Sequence, residues 1–153
     1  MNIFNSNSAS ETKALGKRIG RFLKAGDVVA LMGELGTGKT TLVKGIAQGL
    51  RVPRADEAVV SPTFALINEY EGREKVTHMD WYRLESVKGA DRQMALEYFD
   101  SPAVTLVEWA DKAKEILPDE RLEIRLKHAG GNRRVLNLSA KGERYEDLLR
   151  QIP

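Results

Sequence analysis

The sequence predicts the α/β class, with one sandwich domain around a mixed, largely parallel central sheet that carries antiparallel additions. Three observations predict this fold. Helical and strand patterns alternate through the first half of the chain. A glycine-rich turn joins a buried strand to a helix in the stretch VVALMGELGTGKTTLVKGIAQGL, residues 28–50. Two hairpin patterns supply antiparallel strands, one in the middle of the chain and one near its end.

The first half of the chain opens with a predicted helix over residues 10–23, with Ser10 as the expected N-cap and Gly26 as the expected stop. Its apolar side chains recur at helical spacing, and they are Leu15, Ile19, Phe22 and Leu23. Residues 27–33 form a buried strand, because consecutive apolar residues are closed by a glycine. Residues 40–50 form the next helix. Its apolar face comprises Leu42, Ile46 and Leu50.

Beyond Pro62 the pattern changes to a strand in which Phe64 and Leu66 alternate with their neighbours. A turn around Gly72 returns the chain through residues 76–80 as a hairpin. The remaining elements follow in this order: a helix over residues 91–99, a buried strand over 103–109, a helix from Asp111 to Leu117, a hairpin over 121–140 that turns at Gly130, Gly131 and Asn132, and a helix over 143–152.

Size and composition limit the possible functions. The 153 residues leave room for one domain, which we expect to span residues 1–153. There is no cysteine, which excludes disulfide frameworks, thiolate zinc sites and cysteine nucleophiles. No apolar run approaches the roughly 20 residues that span a bilayer, and the N-terminus lacks a secretory pattern, so we expect a cytoplasmic protein. The net charge of +2 is too small to favour strong binding of nucleic acid.

The glycine-rich turn fits the P-loop pattern G-x-x-x-x-G-K-[ST]. Glycines let successive backbone N–H groups turn inward and form an anion-binding concavity at a helix N-terminus. Lys39 is then expected to reach the outer phosphates, and the Thr40 hydroxyl to bind Mg²⁺. Since a buried strand and an amphipathic helix flank the turn, we predict that it binds a nucleoside triphosphate. The predicted binding residues are Gly33, Glu34, Leu35, Gly36, Thr37, Gly38, Lys39, Thr40 and Thr41.

Two carboxylates are candidates for the rest of the site. Glu108 follows the apolar run of residues 104–107, and an acidic residue at the end of a buried strand in such a fold points at the phosphates. We predict that it holds Mg²⁺, directly or through water; the alternative is a carboxylate that faces solvent. Asp80 could orient or deprotonate the attacking water, although an aspartate in its position is more typical of a turn or cap. The nearby His78 does not indicate zinc, because the chain has two histidines and no cysteine.

Two further residues have a weaker signal. Thr63 lies in the segment SPTF, residues 61–64, and loop threonines in nucleotide switches sense the γ-phosphate. The segment alone is more typical of a simple turn. Trp109 follows Glu108 and indicates either core packing or a partner surface beside the nucleotide. The chain has no N-K-x-D guanine-reading motif, which favours ATP over GTP.

Four motifs occur together in one order along the chain: GELGTGKTT, SPTF, HMDWYRL and LVEW. With the chain length and the opening ALGKRIGRFLKAGDVVALMG, they resemble the TsaE family, formerly YjeE, of small bacterial P-loop ATPases in tRNA threonylcarbamoyladenosine biosynthesis. The resemblance covers nearly the whole chain and weakens beyond Arg121. A P-loop alone is shared by thousands of proteins, whereas the four motifs together are specific.

The resemblance implies a protein that binds ATP and Mg²⁺, hydrolyses ATP slowly and supports the turnover of the TsaB–TsaD complex. In that complex TsaD transfers the threonylcarbamoyl group to tRNA, so contact of this chain with tRNA is expected to be indirect. By resemblance Lys39 and Thr40 take the phosphate and magnesium roles, with Thr41 beside them. The resemblance also assigns the remaining candidates to the site, namely Thr63 in a switch-like loop, Asp80, Glu108 and Trp109.

Two other functions stay open at this stage. A small-molecule kinase of the P-loop class has a similar size, but it normally carries an arginine-rich lid over the transferred phosphate. The nearest candidate for a lid is the pair Arg133 and Arg134 at a hairpin turn. A nucleotide-binding module without catalysis is the second alternative, and it requires Asp80 and Glu108 to lie away from the phosphates.

Overall fold

The computed structural model describes residues 2–62 and 67–152. Its strands are β1 (Asn2–Ser6), β2 (Val28–Met32), β3 (Ile67–Glu71), β4 (Lys75–Asp80), β5 (Val104–Glu108), β6 (Arg121–His128) and β7 (Arg134–Lys141). Its α-helices are α1 (Ala9–Phe22), α2 (Lys39–Gly49), α3 (Ala55–Ala58), α4 (Gly89–Phe99) and α5 (Glu143–Gln151), and a 3₁₀ segment spans Ala110–Ile116. None of the helices in these ranges is long and apolar enough to cross a bilayer.

The described strands form one sheet in the order β1-β7-β6-β2-β5-β4-β3. The pairs β6–β2, β2–β5 and β5–β4 are parallel, and the pairs β1–β7, β7–β6 and β4–β3 are antiparallel. The predicted fold class, an α/β fold with a mixed sheet that is largely parallel at its centre, is confirmed. Because β2, β4 and β5 run in the same direction, their carboxyl ends meet at one edge of the sheet, where ligands of open α/β sheets bind.

Side chains of β2 are buried on both faces of the sheet. Val29 and Leu31 pack into a cluster that includes apolar residues of α1, α2 and α5. Val28, Ala30 and Met32 pack into a second cluster, which includes residues of α4 and the 3₁₀ segment. A strand that is covered on both faces has apolar residues at consecutive positions, whereas a half-exposed strand alternates apolar and polar residues. The sequence VVALM therefore predicts this strand correctly.

The start of α1 differs from the prediction. The helix begins at Ala9, and its N-cap is Ser8 rather than Ser10. The Ser8 hydroxyl accepts a hydrogen bond of 3.1 Å from the Glu11 backbone N–H, and a Glu11 carboxylate oxygen accepts one of 2.7 Å from the Asn7 N–H. The first bond satisfies an N–H group of the first helical turn, and the second satisfies the N–H of the residue before the N-cap.

Three other elements also differ from the prediction. The helix expected from Asp111 to Leu117 is a 3₁₀ segment that is broken at Ala113, whose φ of −151° is not helical. Neither β1 nor α3 was predicted, because a five-residue edge strand and a four-residue helix are too short to show periodicity. Phe64 and Leu66, predicted to begin the strand after Pro62, lie outside the described residues.

Glycines let α1 and α2 pack with their backbones in contact. A Cβ built at Gly20 would lie 2.2 Å from the carbonyl oxygen of Ile46, and one at Gly45 would lie 2.2 Å from that of Lys13. Both distances are far below van der Waals contact, so neither position tolerates a side chain without movement of a helix. The two helices therefore pack with their backbones in contact at these positions.

Candidate functional site

The glycine-rich loop, residues 33–38, connects the end of β2 to the first turn of α2. Gly36 and Gly38 have φ angles of 77° and 101°, a backbone conformation that glycine adopts at little cost. Gly33 approaches β6 so closely that a Cβ there would lie 2.5 Å from the carbonyl oxygen of Leu126. The backbone of the loop therefore ends at the N-terminus of an 11-residue helix, where the helix dipole favours an anion.

The ammonium group of Lys39 lies folded against this loop. Its Nζ donates hydrogen bonds to the carbonyl oxygens of Gly33 at 2.6 Å and Glu34 at 2.9 Å. It also lies 4.2 Å from the centroid of the Trp109 ring, a cation–π distance. Burial lowers the pKa of Lys39, and the negative charges of Glu108 and Asp80 partly offset that effect. The lysine is thus placed where negative charge from a ligand would stabilise its protonated form.

The first turn of α2 is linked to the end of β5 by a hydrogen bond. The Thr40 hydroxyl donates to Oε1 of Glu108 at 2.9 Å. The Thr40 oxygen also lies 2.9 Å from the Ser61 hydroxyl. Because Thr40 has a single hydroxyl proton and gives it to the carboxylate, Ser61 is the donor in the second contact. A loop residue and the end of a strand thus converge on one hydroxyl group of α2.

The other oxygen of Glu108 contacts a histidine. Oε2 lies 2.5 Å from Nε2 of His78, and the side chains of both residues are buried. Nδ1 of His78 has no hydrogen-bond partner among residues 2–62 and 67–152. His78 and Asp80 are two residues apart on β4, and the strand register pairs Asp80 directly with Glu108. The parallel pairing of β4 and β5 therefore brings the two predicted carboxylates to the same sheet edge.

Asp80 is held at the mouth of the site by its own turn. One of its carboxylate oxygens accepts a hydrogen bond of 2.9 Å from the backbone N–H of Tyr82. Burial raises the pKa of Asp80, and the neighbouring charge of Glu108 raises it further, while the Tyr82 N–H lowers it. A bound cation would relieve this repulsion between two carboxylates.

These groups fit a magnesium ion that shares its coordination with a nucleotide. The described residues contain no group of three histidine, cysteine or acidic side chains able to hold a metal by themselves. Mg²⁺ is ordinarily held by one or two carboxylates together with substrate phosphates and water. Glu108 and the Thr40 hydroxyl supply oxygen ligands of that kind, and Asp80 lies beside them.

The site is a cleft of about 440 Å³. The predicted residues that line it are Leu35, Gly36, Gly38, Lys39, Thr40, Thr41, Asp80, Glu108 and Trp109. Gly33, Glu34 and Thr37 belong to the loop but not to the cleft wall; the buried Thr37 hydroxyl donates to the Glu34 carbonyl oxygen at 2.8 Å. Thr63 lies outside the described residues.

Aromatic rings form one wall of the cleft. The rings of Tyr82 and Trp109 lie 4.9 Å apart between centroids. Trp109 has a φ of 58°, a left-handed conformation that costs a residue with a side chain on the order of 1–3 kcal/mol. That conformation turns the chain sharply after β5 and directs the indole over Lys39. Trp109 is partly buried against the second apolar cluster and also lines the cleft, and its roles toward a nucleotide or a partner stay predictions.

Several residues at the site were not among the predicted ones. They are Ser61, His78, Tyr82 and Arg83, with Arg134 on the outer side of the loop. The alternation of His78 with Asp80 was visible in the sequence, but its contact with Glu108 depends on strand order. Arg134 was noted in the sequence only as part of a candidate lid, and its contact with the loop could not be predicted because Thr37 lies 97 residues away.

A family model described as Threonylcarbamoyl adenosine biosynthesis protein TsaE matches residues 6–136. The chain belongs to the TsaE family. It is 46% identical over 146 residues to the tRNA threonylcarbamoyladenosine biosynthesis protein TsaE of Bacillus subtilis strain 168, which covers 93% of this chain and 87% of that protein. It is 40% identical over 131 residues to the protein of the same name from Treponema pallidum strain Nichols, covering 85% of this chain and 95% of that protein.

The fold agrees with the family assignment. The crystal structure of Bacillus subtilis YdiB superimposes with a TM-score of 0.80 at 40% sequence identity, covering 99% of this chain and 93% of that chain. The resemblance to TsaE that the four motifs indicated is thus confirmed by sequence and by fold.

Proposed function

We propose that this TsaE-family chain binds ATP with Mg²⁺ in the cleft and hydrolyses ATP slowly, as a component of tRNA threonylcarbamoyladenosine biosynthesis. We further propose that it acts on the TsaB–TsaD complex to support its turnover and does not itself transfer the threonylcarbamoyl group. The hydrogen bond between Thr40 and Glu108 carries the proposal. This bond joins the first turn of α2, directly after the glycine-rich loop, to the acidic residue at the end of β5. P-loop ATPases use a hydroxyl and a carboxylate in these positions to hold Mg²⁺.

The loop and Lys39 would bind the phosphates. A triphosphate at the N-terminus of α2 would accept hydrogen bonds from backbone N–H groups of residues 34–40. Lys39 would leave the carbonyl oxygens of Gly33 and Glu34 and donate to the outer phosphates instead. Burial makes this exchange favourable, because a buried ammonium group is stabilised most by a nearby negative charge.

Metal binding and contact with the attacking water would fall to different residues. Thr40 and Glu108 would hold Mg²⁺, which when bound neutralises charge that develops on the phosphate oxygens. Asp80 would contact the attacking water, and its raised pKa suits either orientation of that water or acceptance of its proton. Trp109 would cover the lysine and exclude bulk water from one side of the phosphates.

Both alternatives lose support from the described geometry. The side chain of Arg134 donates to backbone carbonyl oxygens of the loop, and so it does not form a lid over a transferred phosphate. That weakens the kinase hypothesis. Asp80 and Glu108 both line the cleft, whereas a module without catalysis required them to lie elsewhere.

The decisive experiment measures steady-state ATP hydrolysis with Mg²⁺, first with the purified chain alone and then with added TsaB–TsaD complex. We expect a slow basal rate that changes when the complex is added, since groups supplied by a partner are worth ~10³–10⁵ in rate in known GTPases. A rate that does not respond to the complex would contradict the partner assignment. Transfer of phosphate to a small-molecule acceptor would instead support the kinase.

A further inference from the structure

We propose that Arg134 is a positioning residue for the nucleotide site, which holds the glycine-rich loop in its phosphate-binding form from the outer side. This inference rests on the proposed binding of ATP and adds a residue that lies outside all four family motifs. Arg134 begins β7, a strand that neither borders β2 nor reaches the cleft.

The guanidinium group of Arg134 joins two segments of backbone. Nε donates to the carbonyl oxygen of Thr37 at 3.1 Å, and Nη2 donates to that of Gly36 at 3.2 Å. Nη1 donates to the carbonyl oxygens of Gly131 at 3.0 Å and Arg133 at 2.9 Å, within the hairpin turn. The rigid planar group thus ties the loop to the end of the β6–β7 hairpin.

A phosphate loop needs donors on its outer side. When its N–H groups turn inward toward an anion, its carbonyl groups turn outward and must find partners elsewhere. In this chain Lys39 donates hydrogen bonds to the carbonyl oxygens of Gly33 and Glu34, and in the proposed cycle its ammonium group moves to the phosphates. Arg134 donates to those of Gly36 and Thr37, and it stays in place because Arg134 itself does not line the cleft.

The hairpin also packs against the loop without Arg134. A Cβ built at Gly33 would lie 2.5 Å from the Leu126 carbonyl oxygen, and one at Gly36 would lie 3.8 Å from Nε2 of His128. The end of β6 therefore flanks the loop as a wall. Arg134 adds directional hydrogen bonds to this packing. We therefore expect loss of Arg134 to change the position of the loop and not the stability of the fold.

Arg133 offers a matched control. It has the same charge, lies one residue away at the same turn and is exposed, whereas Arg134 is half-buried. No hydrogen bond from its side chain to the loop is present within residues 2–62 and 67–152. The variants Arg134→Ala, Arg134→Lys and Arg133→Ala therefore separate the bridging contact from the positive charge of the turn.

The first measurement is hydrogen exchange in the nucleotide-free full chain. We expect Arg134→Ala to speed exchange in a peptide covering residues 33–41 severalfold, with peptides from β5 and α1 unchanged and with Arg133→Ala like the wild type. The second measurement is titration with Mg·ADP. We expect Arg134→Ala to raise the Kd about tenfold, Arg134→Lys to raise it less, and Arg133→Ala to leave it within about twofold.

Each outcome bears on one hypothesis. Equal loop exchange and equal Kd in Arg134→Ala and Arg133→Ala would overturn the positioning role. Faster exchange throughout the protein, with a lowered Tm, would also overturn it in favour of a general structural role. Wild-type protein that binds neither ADP nor ATP would refute the proposed function, and the exchange of the loop in nucleotide-free protein would still test Arg134.

Discussion

Nε2 of His78 lies 2.5 Å from Oε2 of Glu108, and the two side chains are buried together between neighbouring parallel strands. The same carboxylate accepts the Thr40 hydroxyl through its other oxygen. The protein thus sets the orientation of Glu108 by itself. A carboxylate held in this way resembles the outer-shell arrangements that orient metal ligands in other sites.

His78→Gln is therefore expected to weaken the response to Mg²⁺. Loss of an outer-shell partner typically costs 10–100-fold in metal affinity, so the Mg²⁺ concentration that gives half-maximal nucleotide binding should rise about tenfold. Lys75→Gln is the control, because Lys75 is exposed and lies at the start of the same strand, away from the cleft. An identical Mg²⁺ dependence in both variants would show that His78 only fills space.

Glu108→Gln is expected to remove Mg²⁺-dependent hydrolysis and to spare the fold. The amide keeps the shape and can still contact Thr40, but it loses the charge that would hold the metal. ATP turnover should fall at least ~100-fold, while the circular dichroism spectrum stays that of the wild type. Glu115→Gln, an exposed change in the 3₁₀ segment, is the control. Unchanged turnover in Glu108→Gln would rule out the metal assignment.

Lys39→Ala is expected to abolish tight nucleotide binding. The variant loses charge-assisted hydrogen bonds to the phosphates, and we expect the Kd for ATP to rise by roughly 100-fold. Lys44→Ala is a suitable control, since Lys44 is also on α2 but does not line the cleft. Calorimetric titration of both variants measures the difference, and similar affinities would refute the phosphate role of Lys39.

Gly20→Ala is expected to destabilise the protein, although alanine ordinarily stabilises a helix interior by about 1 kcal/mol relative to glycine. The added Cβ would lie 2.2 Å from the Ile46 carbonyl oxygen, so α1 and α2 must separate. We expect the free energy of unfolding to fall by roughly 1–3 kcal/mol in a urea titration. Lys17→Ala, at an exposed position of α1, should change it by less than about 0.5 kcal/mol. A stabilised Gly20→Ala variant would contradict the close contact.

Tyr145 is expected to make the free energy of unfolding fall as the pH rises through the alkaline range. Its hydroxyl accepts the Val28 N–H at 2.8 Å, and burial raises the pKa of Tyr145 to about 12. The unfolded chain releases this proton near pH 10, whereas the folded protein keeps it up to a pH of about 12. The free energy of unfolding should therefore fall by roughly 2–3 kcal/mol as the pH rises through that range.

Tyr145→Phe tests this assignment, because phenylalanine has no proton to release. Its free energy of unfolding should be lower at neutral pH by about 1 kcal/mol, since the Val28 N–H loses its acceptor. Between pH 10 and pH 12 the variant should lose less stability than the wild type does. Tyr82→Phe, at an exposed tyrosine, should follow the wild type. Parallel curves for wild type and Tyr145→Phe would contradict the raised pKa.

Local patterns in the sequence determined most of the elements and part of the site. The run VVALM predicted β2, and the glycines with Lys39 and Thr40 predicted the loop and its helix, because these features depend on neighbours along the chain. Four motifs also sufficed to indicate the TsaE family. The strand β1 escaped prediction because it is short and its partner, β7, lies more than 120 residues away.

The tertiary structure alone decided which groups meet. Thr40 and Glu108 are separated by 68 residues, and Arg134 and Thr37 by 97. Their contacts follow from the order β7-β6-β2-β5-β4 and from the parallel register that sets Asp80 beside Glu108. Strand order and register arise from the packing of whole elements against one another, and no local period encodes them. For that reason the sequence named the phosphate loop and the carboxylates, while the contact of His78 with Glu108 and that of Arg134 with the loop became visible only in the folded chain.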